Sequence, residues 1–271
     1  MPRSCRLSVV IRTRDIEQRF PELLRRLSRQ TLCPSEIVVV DNFTGESQLT
    51  KMVALLRGAK KLFNGDDVTF KLAPLADNEF SHPYSTNVGV YTASCGLVCI
   101  TNGHSLPTSE MWLENASIHF TDSEVAGIAG YSSPHRDGSI WEKLAFRWGW
   151  ERLNVLSRAY VRDSFFSTVN CIIRRSLWEE YPFDERLFDE IASARVFGGE
   201  DHDWAAEMIA RGHRIIVEPK FNVLHSHGEK LPQLVSKYIA WRRIRSRVKS
   251  FKRPRESYTK LRRVKPLQYE L

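Results

Sequence analysis

Two short apolar runs, each closed by polar residues that include an aspartate, constrain this chain more than any other feature. Leu7–Ile11 is followed by Arg12-Thr13-Arg14-Asp15, and Glu36-Ile37-Val38-Val39-Val40 by Asp41-Asn42. β-branched runs of this length read as strands, and strands apolar at nearly every position belong in a parallel sheet covered on both faces. Between them, Phe20, Leu23, Leu24 and Leu27 recur at helical spacing, and Pro34 ends that region. Strand, loop, helix and a second such strand make the chain α/β by expectation. Ligands of open α/β sheets sit beyond the carboxyl ends of the strands, which makes Arg12, Thr13, Asp15 and Asp41 the first candidate contacts.

The alternation continues with a helix near Gln48–Leu56, a strand at Val68–Leu72, helical character over Asn87–Ser94 and a strand at Leu97–Ile100. After that strand comes the polar turn Thr101-Asn102-Gly103-His104-Ser105, then a helix within Ser109–Phe120 and a strand at Val125–Ala129. The second half is more aromatic, with Trp141, Phe146, Trp148, Trp150, Phe165 and Phe166 among charges. The pair Trp148 and Trp150 could stack on a sugar ring or fill the core. Gly198-Gly199-Glu200-Asp201 precedes a helix over His202–Arg211, and a strand from Arg214 leads to His225-Ser226-His227. No internal repeat is evident.

Three places could carry chemistry. Asp15 and Asp41 at strand ends can accept hydrogen bonds from a base edge or ribose hydroxyls, or serve as turn and cap residues. Asp201 at a helix N-terminus is favoured as an anion by the dipole and free amides, and can act as a general base or as an N-cap. His225 and His227 share one side of an extended segment and could hold a divalent metal or a diphosphate, with His104 as a partner from elsewhere in the chain. There is no Gly-x-Gly-x-x-Gly and no Walker sequence, so a Rossmann dinucleotide site or a P-loop is disfavoured.

The order of these pieces resembles the inverting GT-A glycosyltransferases of family two, in particular the rhamnosyltransferase-like branch, over about residues 6 to 228. Leu7–Asp15 is similar to the first strand and nucleotide loop, and Glu36–Asn42 to the second strand with its nucleoside-binding aspartate. Phe80–Gly89 looks like the segment that ends in Ala-Arg-Asn-x-Gly, which places Asn87 at the donor. Asn170–Arg175 with Pro182-Phe183-Asp184-Glu185 resembles the acceptor side. Gly199-Glu200-Asp201 looks like the Glu-Asp motif, and Val223–His227 like the closing His-x-His. The resemblance implies a GT-A fold and direct displacement at the anomeric carbon of a nucleoside-diphosphate sugar. Asp201 would be the catalytic base, and Arg12, Thr13, Asp15, Asp41, Asn87, Asn102, Gly103 and Glu200 would bind the donor. His104, His225 and His227 would hold Mn²⁺ or Mg²⁺. The acceptor would be a glycan or lipid-linked glycan in cell-surface polysaccharide assembly. The chain departs from the pattern where Asn102-Gly103-His104 replaces Asp-x-Asp and where Thr86 replaces the arginine. Metal-independent catalysis with Arg12, Arg14 or the histidines facing the diphosphate, and a degenerate non-catalytic sugar-nucleotide-binding domain, are the alternatives these departures open.

Charge divides the 271 residues unevenly. From Glu229 onward there are 14 basic and 3 acidic residues, and the preceding chain holds 26 basic and 29 acidic. The net charge of +8 therefore belongs to the end of the chain. This divides it into a GT-A domain over 1–228 and a basic helical extension over 229–271. Trp241, Ile244, Val248 and Phe251 recur there at spacings of three and four, so the stripe could lie on an anionic membrane or pack on the body. No nucleic-acid module accompanies the charges, so nucleic acid is not an expected partner. Cys5, Cys33, Cys95, Cys99 and Cys171 are sparse and odd in number, which suits buried thiols in a reducing cytosol. No apolar run is long enough to span a bilayer, so a cytoplasmic protein is expected, with the inner membrane face as its peripheral station.

Overall fold

The structure is a computed structural model, and it describes residues 7–63, 67–148, 160–161, 166–263 and 265–271. The first half alternates as the pattern requires: β1 Leu7–Thr13, α1 Phe20–Leu27, β2 Glu36–Phe43, α2 Glu46–Lys60, β3 Thr69–Ala76, α3 His82–Thr92 and β4 Leu97–Asn102. It continues with β5 Leu106–Pro107, α4 Trp112–Ser117, β6 Val125–Ser133, α5 Ile140–Phe146 and β7 Tyr160–Val161. The remainder comprises β8 Asn170–Arg174, α6 Arg175–Glu180, α7 Leu187–Glu190, α8 Ala194–Phe197, α9 Glu200–Ala210, β9 Arg214–Leu224, α10 Leu231–Lys249 and β10 Tyr269–Glu270.

Among the described residues ten strands form one mixed sheet in the order β10-β3-β2-β1-β4-β8-β6-β9-β5, with β7 against β9. Strands β3, β2, β1 and β4 are parallel, and antiparallel β8 joins them to the parallel pair of β6 and β9. Side chains alternate across this sheet and divide the core in two. Val9, Ile11, Ile37 and Val39 pack with Phe20, Leu24, Met52 and Trp112 on one face. Val10, Val38 and Val40 pack with Val88, Trp178, Trp204 and Met208 on the other.

Several boundaries differ from the sequence expectation for local reasons. Helix α3 starts five residues before Asn87, because Ser81 caps it by accepting a hydrogen bond from the Tyr84 amide (3.3 Å) and Pro83 suits a first turn. The short strand β8 is not marked by any apolar run, since Asn170 and Arg174 bound it. Asn170 earns its place by donating to the carbonyls of Tyr131 (3.1 Å) and Phe221 (2.8 Å), which ties β8 to the strands beyond it. Gly130 sits where the β6–β9 register shifts, and a Cβ there would lie 1.8 Å from the Phe221 carbonyl oxygen. Gly130→Ala is expected to destabilise the fold by about 2 kcal/mol through overpacking, read as a lower denaturant midpoint at unchanged m-value.

The basic segment is built into the body. Ile244 and Val248 of α10 are buried with Leu187 and Ile191, and Trp241 donates its indole hydrogen to the Phe197 carbonyl (3.0 Å). Of the two readings open to the stripe, packing on the body is the one these contacts match. Beyond α10, β10 adds an antiparallel strand to β3. Cys99 and Cys171 are buried thiols, whereas Cys95 is disulfide-bonded, which corrects the thiol reading for that residue. Cys5, Trp150 and Phe165 lie outside the described residues, and Trp148 is 83% exposed, so it fills no core. Among the described residues no helix is long and apolar enough to cross a membrane.

Candidate functional site

A cavity of about 1080 Å³ opens at the carboxyl ends of β1, β2 and β4. Arg12, Thr13, Asn102, His104, Glu200, Asp201, His225 and His227 all line it, so the sheet gathers eight of the residues singled out in the sequence from four separate segments.

Arg12 is the node on one wall. Its guanidinium donates to Thr86 Oγ1 (2.8 Å), Asn102 Oδ1 (2.9 Å) and the Thr168 carbonyl (3.0 Å). The positive charge absent at Thr86 is thus supplied from β1 to the same spot. Burial lowers the Arg12 pKa, with the charges of Glu200 and Asp201 acting in the opposite direction. Because Asn102 spends its carbonyl oxygen on Arg12, it stands as a partner of that charge.

Opposite stands the start of α9. Gly198 and Gly199 have φ of 71° and 124°, conformations open to glycine at little cost, and a Cβ on Gly199 would lie 2.5 Å from Ile244 Cγ2 of α10. The hinge thus needs glycine both for its backbone and for the close approach of the basic helix. Asp201 Oδ1 accepts from the His202 amide (2.8 Å) and Oδ2 from the Thr168 amide (3.4 Å). Both bonds hold the carboxylate at the cavity. Glu200 is buried beside it, and burial together with the Asp201 charge pushes its carboxyl up to about 7.

Three imidazoles form the third wall. His104 stacks on His225 with ring centroids 4.5 Å apart, His227 meets both rings edge-on, and the three ligand-capable nitrogens lie within 4.8 Å of one another. His104 Nδ1 is hydrogen-bonded to Glu17 Oε2, leaving a buried Nε2 with no partner. Burial alone would raise Glu17, but its bonds with His104 and Thr13 keep its carboxyl below the ordinary range. His225 Nδ1 pairs with Ser105 Oγ (2.9 Å). His82, absent from the sequence argument, also lines the cavity, and burial with the Arg12 charge takes its imidazole down to about 4.

Four expected contacts are placed elsewhere. Asn87 is buried and fully engaged: its amide donates to the Phe183 carbonyl and Glu185, and its oxygen accepts from Trp178 and Phe183. With these bonds it anchors α3 to the following segments, and it does not line the cavity. Gly103 is also structural, since its amide donates to the Arg12 carbonyl (2.8 Å) and a Cβ would press on Thr13 Oγ1 at 2.6 Å. Asp15, at φ 52°, is a turn residue whose carboxylate clasps the amide and hydroxyl of Thr44 (2.9 and 2.8 Å). Asp41 is fully buried behind the wall formed by Val40 and Asn42. Neither of its oxygens meets a well-formed hydrogen bond, and burial with the Asp15 charge pushes its carboxyl up to about 7.

Residues of α10 that were not among the expected site residues complete the cavity: Lys237, Trp241 and Arg245. Lys237 Nζ donates to Glu229 Oε1 (2.9 Å) and lies over the Trp241 ring. Read as a sequence they were part of a location-setting extension; in the fold they are wall.

No family model matches the chain. It is 21% identical over 231 residues to the O-antigen chain rhamnosyltransferase RfbN of Salmonella typhimurium, covering 82% of this chain and 67% of the relative. It is 24% identical over 229 residues to the O-antigen chain rhamnosyltransferase WbaN of Salmonella anatum, covering 82% and 66%. The chain therefore spans about two thirds of the length of these curated relatives. Among solved structures, the mannosyltransferase PcManGT of Pyrobaculum calidifontis, in complex with GDP-Man and Mn²⁺, superposes with TM-score 0.62 at 18% identity over 93% of this chain and 67% of that one. TarS 1–349 of S. aureus, in complex with UDP-GlcNAc, gives 0.62 at 17% identity over 92% and 68%. The chain thus has the GT-A fold of these structures, and in sequence it is similar to the O-antigen rhamnosyltransferases of Salmonella.

Proposed function

We propose that the protein is an inverting glycosyltransferase that moves a sugar from a nucleoside-diphosphate donor to an acceptor hydroxyl in cell-surface glycan assembly. The observation that carries this reading is the convergence of Asp201, the Arg12 guanidinium and the three histidines on one cavity. In the step, the acceptor oxygen forms a bond to the anomeric carbon while the bond from that carbon to the diphosphate oxygen breaks. The acceptor proton passes to Asp201, and the bonding electrons leave with the diphosphate. Arg12 and Lys237 bring positive charge to the cavity where the leaving group gains its charge. A divalent ion, when bound, would add further neutralisation of that charge. His104, His225 and His227 are the residues that would hold it, and the unpartnered Nε2 of His104 fits this use. The named relatives make a rhamnosyl donor and an O-antigen type of acceptor the first choice.

The test is a panel of nucleoside diphosphates and their sugars in thermal shift, followed by transfer assays with the hits. A stabilising donor that supports transfer is expected, because a ligand that binds only the folded state raises its melting temperature. Stabilisation by a sugar nucleotide without turnover would instead favour a binding protein.

Asp41, a buried acid without a partner at the nucleoside end, is proposed as a base or ribose contact completed by the donor. Its folded pKa of about 7 lies above its ordinary value of 3.8, so the folded state holds the proton more tightly. Stability should fall as pH rises from about 4 to 7, and the cost is fully present above 7. Asp41→Asn is expected to remove that slope, raising stability at pH 8 by about 2 kcal/mol while weakening the donor by about tenfold. Melting curves across pH and donor titration read the two effects. Unchanged donor affinity would leave Asp41 as a structural acid only.

If the protein docks on an anionic membrane at the cytoplasmic face, the support lies on the outer face of α10. There Val235, Tyr238 and Ile239 are exposed next to Arg242 and Arg243.

A further inference from the structure

Two of the three imidazoles reach the cavity with their outer nitrogens already assigned. His104 Nδ1 is held by Glu17 and His225 Nδ1 by Ser105 Oγ, which turns the Nε2 atom of each ring inward. His225 Nε2 and His227 Nε2 face one another at 3.1 Å, and His104 Nε2 is buried without a partner. Two nitrogens sharing one ion at about 2.1 Å are separated by about 3.0–3.4 Å, so the spacing of the His225 and His227 pair matches a common ion. Among the oxygen donors lining the cavity, Asn102 Oδ1 accepts from Arg12 and both Glu142 oxygens accept from the amides of His227 and Ser139.

We infer that His104, His225 and His227 form an all-imidazole site selecting a borderline transition ion such as Co²⁺, Ni²⁺ or Zn²⁺ over Mg²⁺, with Glu17 as the carboxylate that orients His104. The inference deepens the reading of this cavity as a donor site and takes the ion as its own ligand. Mg²⁺ requires oxygen ligands in a tight octahedron and parts reluctantly from water. Neutral imidazoles suit the later first-row ions, whose affinity rises from Mn²⁺ towards Cu²⁺, so Mn²⁺ should be the weakest transition ion here. Glu17 stands where a carboxylate fixes the tautomer and raises the basicity of a metal-binding histidine, an outer contact whose loss costs about 10–100-fold in metal affinity.

The experiment titrates Co²⁺ into the full chain after chelation, with no donor or acceptor, and follows the visible ligand-field band. One equivalent is expected to bind. A hundredfold excess of Mg²⁺ should leave the band in place, whereas Zn²⁺ or Ni²⁺ should bleach or replace it. Glu17→Gln should weaken Co²⁺ by about 10–100-fold, and His227→Gln, at an exposed position, should abolish the band with the melting curve preserved. Displacement by equimolar Mg²⁺, a band that survives His227→Gln, or no Co²⁺ binding by the folded wild type would each overturn the site. Wild-type affinity in Glu17→Gln would remove Glu17 from it. Because no sugar nucleotide takes part, absent transfer activity leaves this result standing. Transfer without Co²⁺ binding would in turn leave the glycosyltransferase reading intact.

Discussion

Asp201→Asn is expected to lower turnover by about 10²–10⁴-fold while leaving donor binding nearly unchanged. The substitution keeps the size of the side chain and an oxygen able to accept from the His202 amide, so the start of α9 is left in place. What it removes is the capacity to take the acceptor proton as the new bond forms. Loss confined to kcat, with donor affinity read separately by titration, is the signature of a group acting in the transition state. Activity retained within threefold would mean that another group accepts the proton. Buried Glu200, whose carboxyl is pushed up to about 7, would then be the residue to substitute next. A larger loss in donor affinity than in turnover would recast Asp201 as a binding residue.

The second large effect falls outside the cavity. Asp203 and Glu207 of α9 are completely buried, and the arginines of the segment after α10 hold them. Arg253 donates to Asp203 Oδ1 (3.0 Å) and Glu207 Oε2 (2.9 Å), and Arg255 to Asp203 Oδ1 (2.9 Å) and Glu190 Oε1 (2.6 Å). Tyr181 adds a hydroxyl bond to Asp203 (2.6 Å). Removing both arginines leaves the buried Asp203 and Glu207 charges short of compensation, which costs about 3–5 kcal/mol. Arg253→Met combined with Arg255→Met is therefore expected to lower the melting temperature by roughly 6–15 °C at this size. Arg255→Met alone should cost less, because Arg253 and Tyr181 still hold Asp203. Equal stability of the double variant and the wild type would show that solvent replaces the arginines. The same contacts predict that a chain ended at 228 fails to fold. It would bare Asp203 and Glu207 and uncover Leu187 and Ile191, and it would remove the cavity wall made by Lys237, Trp241 and Arg245.

The two halves of the chain differed in how much they disclosed. Leu7–Thr13 and Glu36–Phe43 are legible because a strand buried on both faces must be apolar throughout and must end where polar residues begin. Strand β8 is short and has polar ends, so its place between β4 and β6 follows from the neighbours it bonds. Asp15 and Asp41 look alike in sequence, yet one is spent on Thr44 and the other is buried without a partner. Asn87 fits a donor motif by position and turns out to be filled by Trp178, Phe183 and Glu185.

What the sequence determined by itself is the alternation of strand and helix, the end of the sheet at which the cavity opens, and the helix-start acid, Asp201, that lines it. These are local properties, set by apolar periodicity and by residue types at element ends. The tertiary structure decided which of those residues share a cavity. Only packing brings His104 onto His225 and His227, places Arg12 against Thr86, and sets Ile244 on Gly199. It also decided the meaning of the positive charge after residue 229. A basic amphipathic helix has the same pattern whether its apolar stripe meets lipid or protein, and here Leu187 and Ile191 offer that stripe a core while Asp203 and Glu207 receive the arginines that follow it. The segment that looked detachable by composition is held by burial and paired charge, and it supplies one wall of the site.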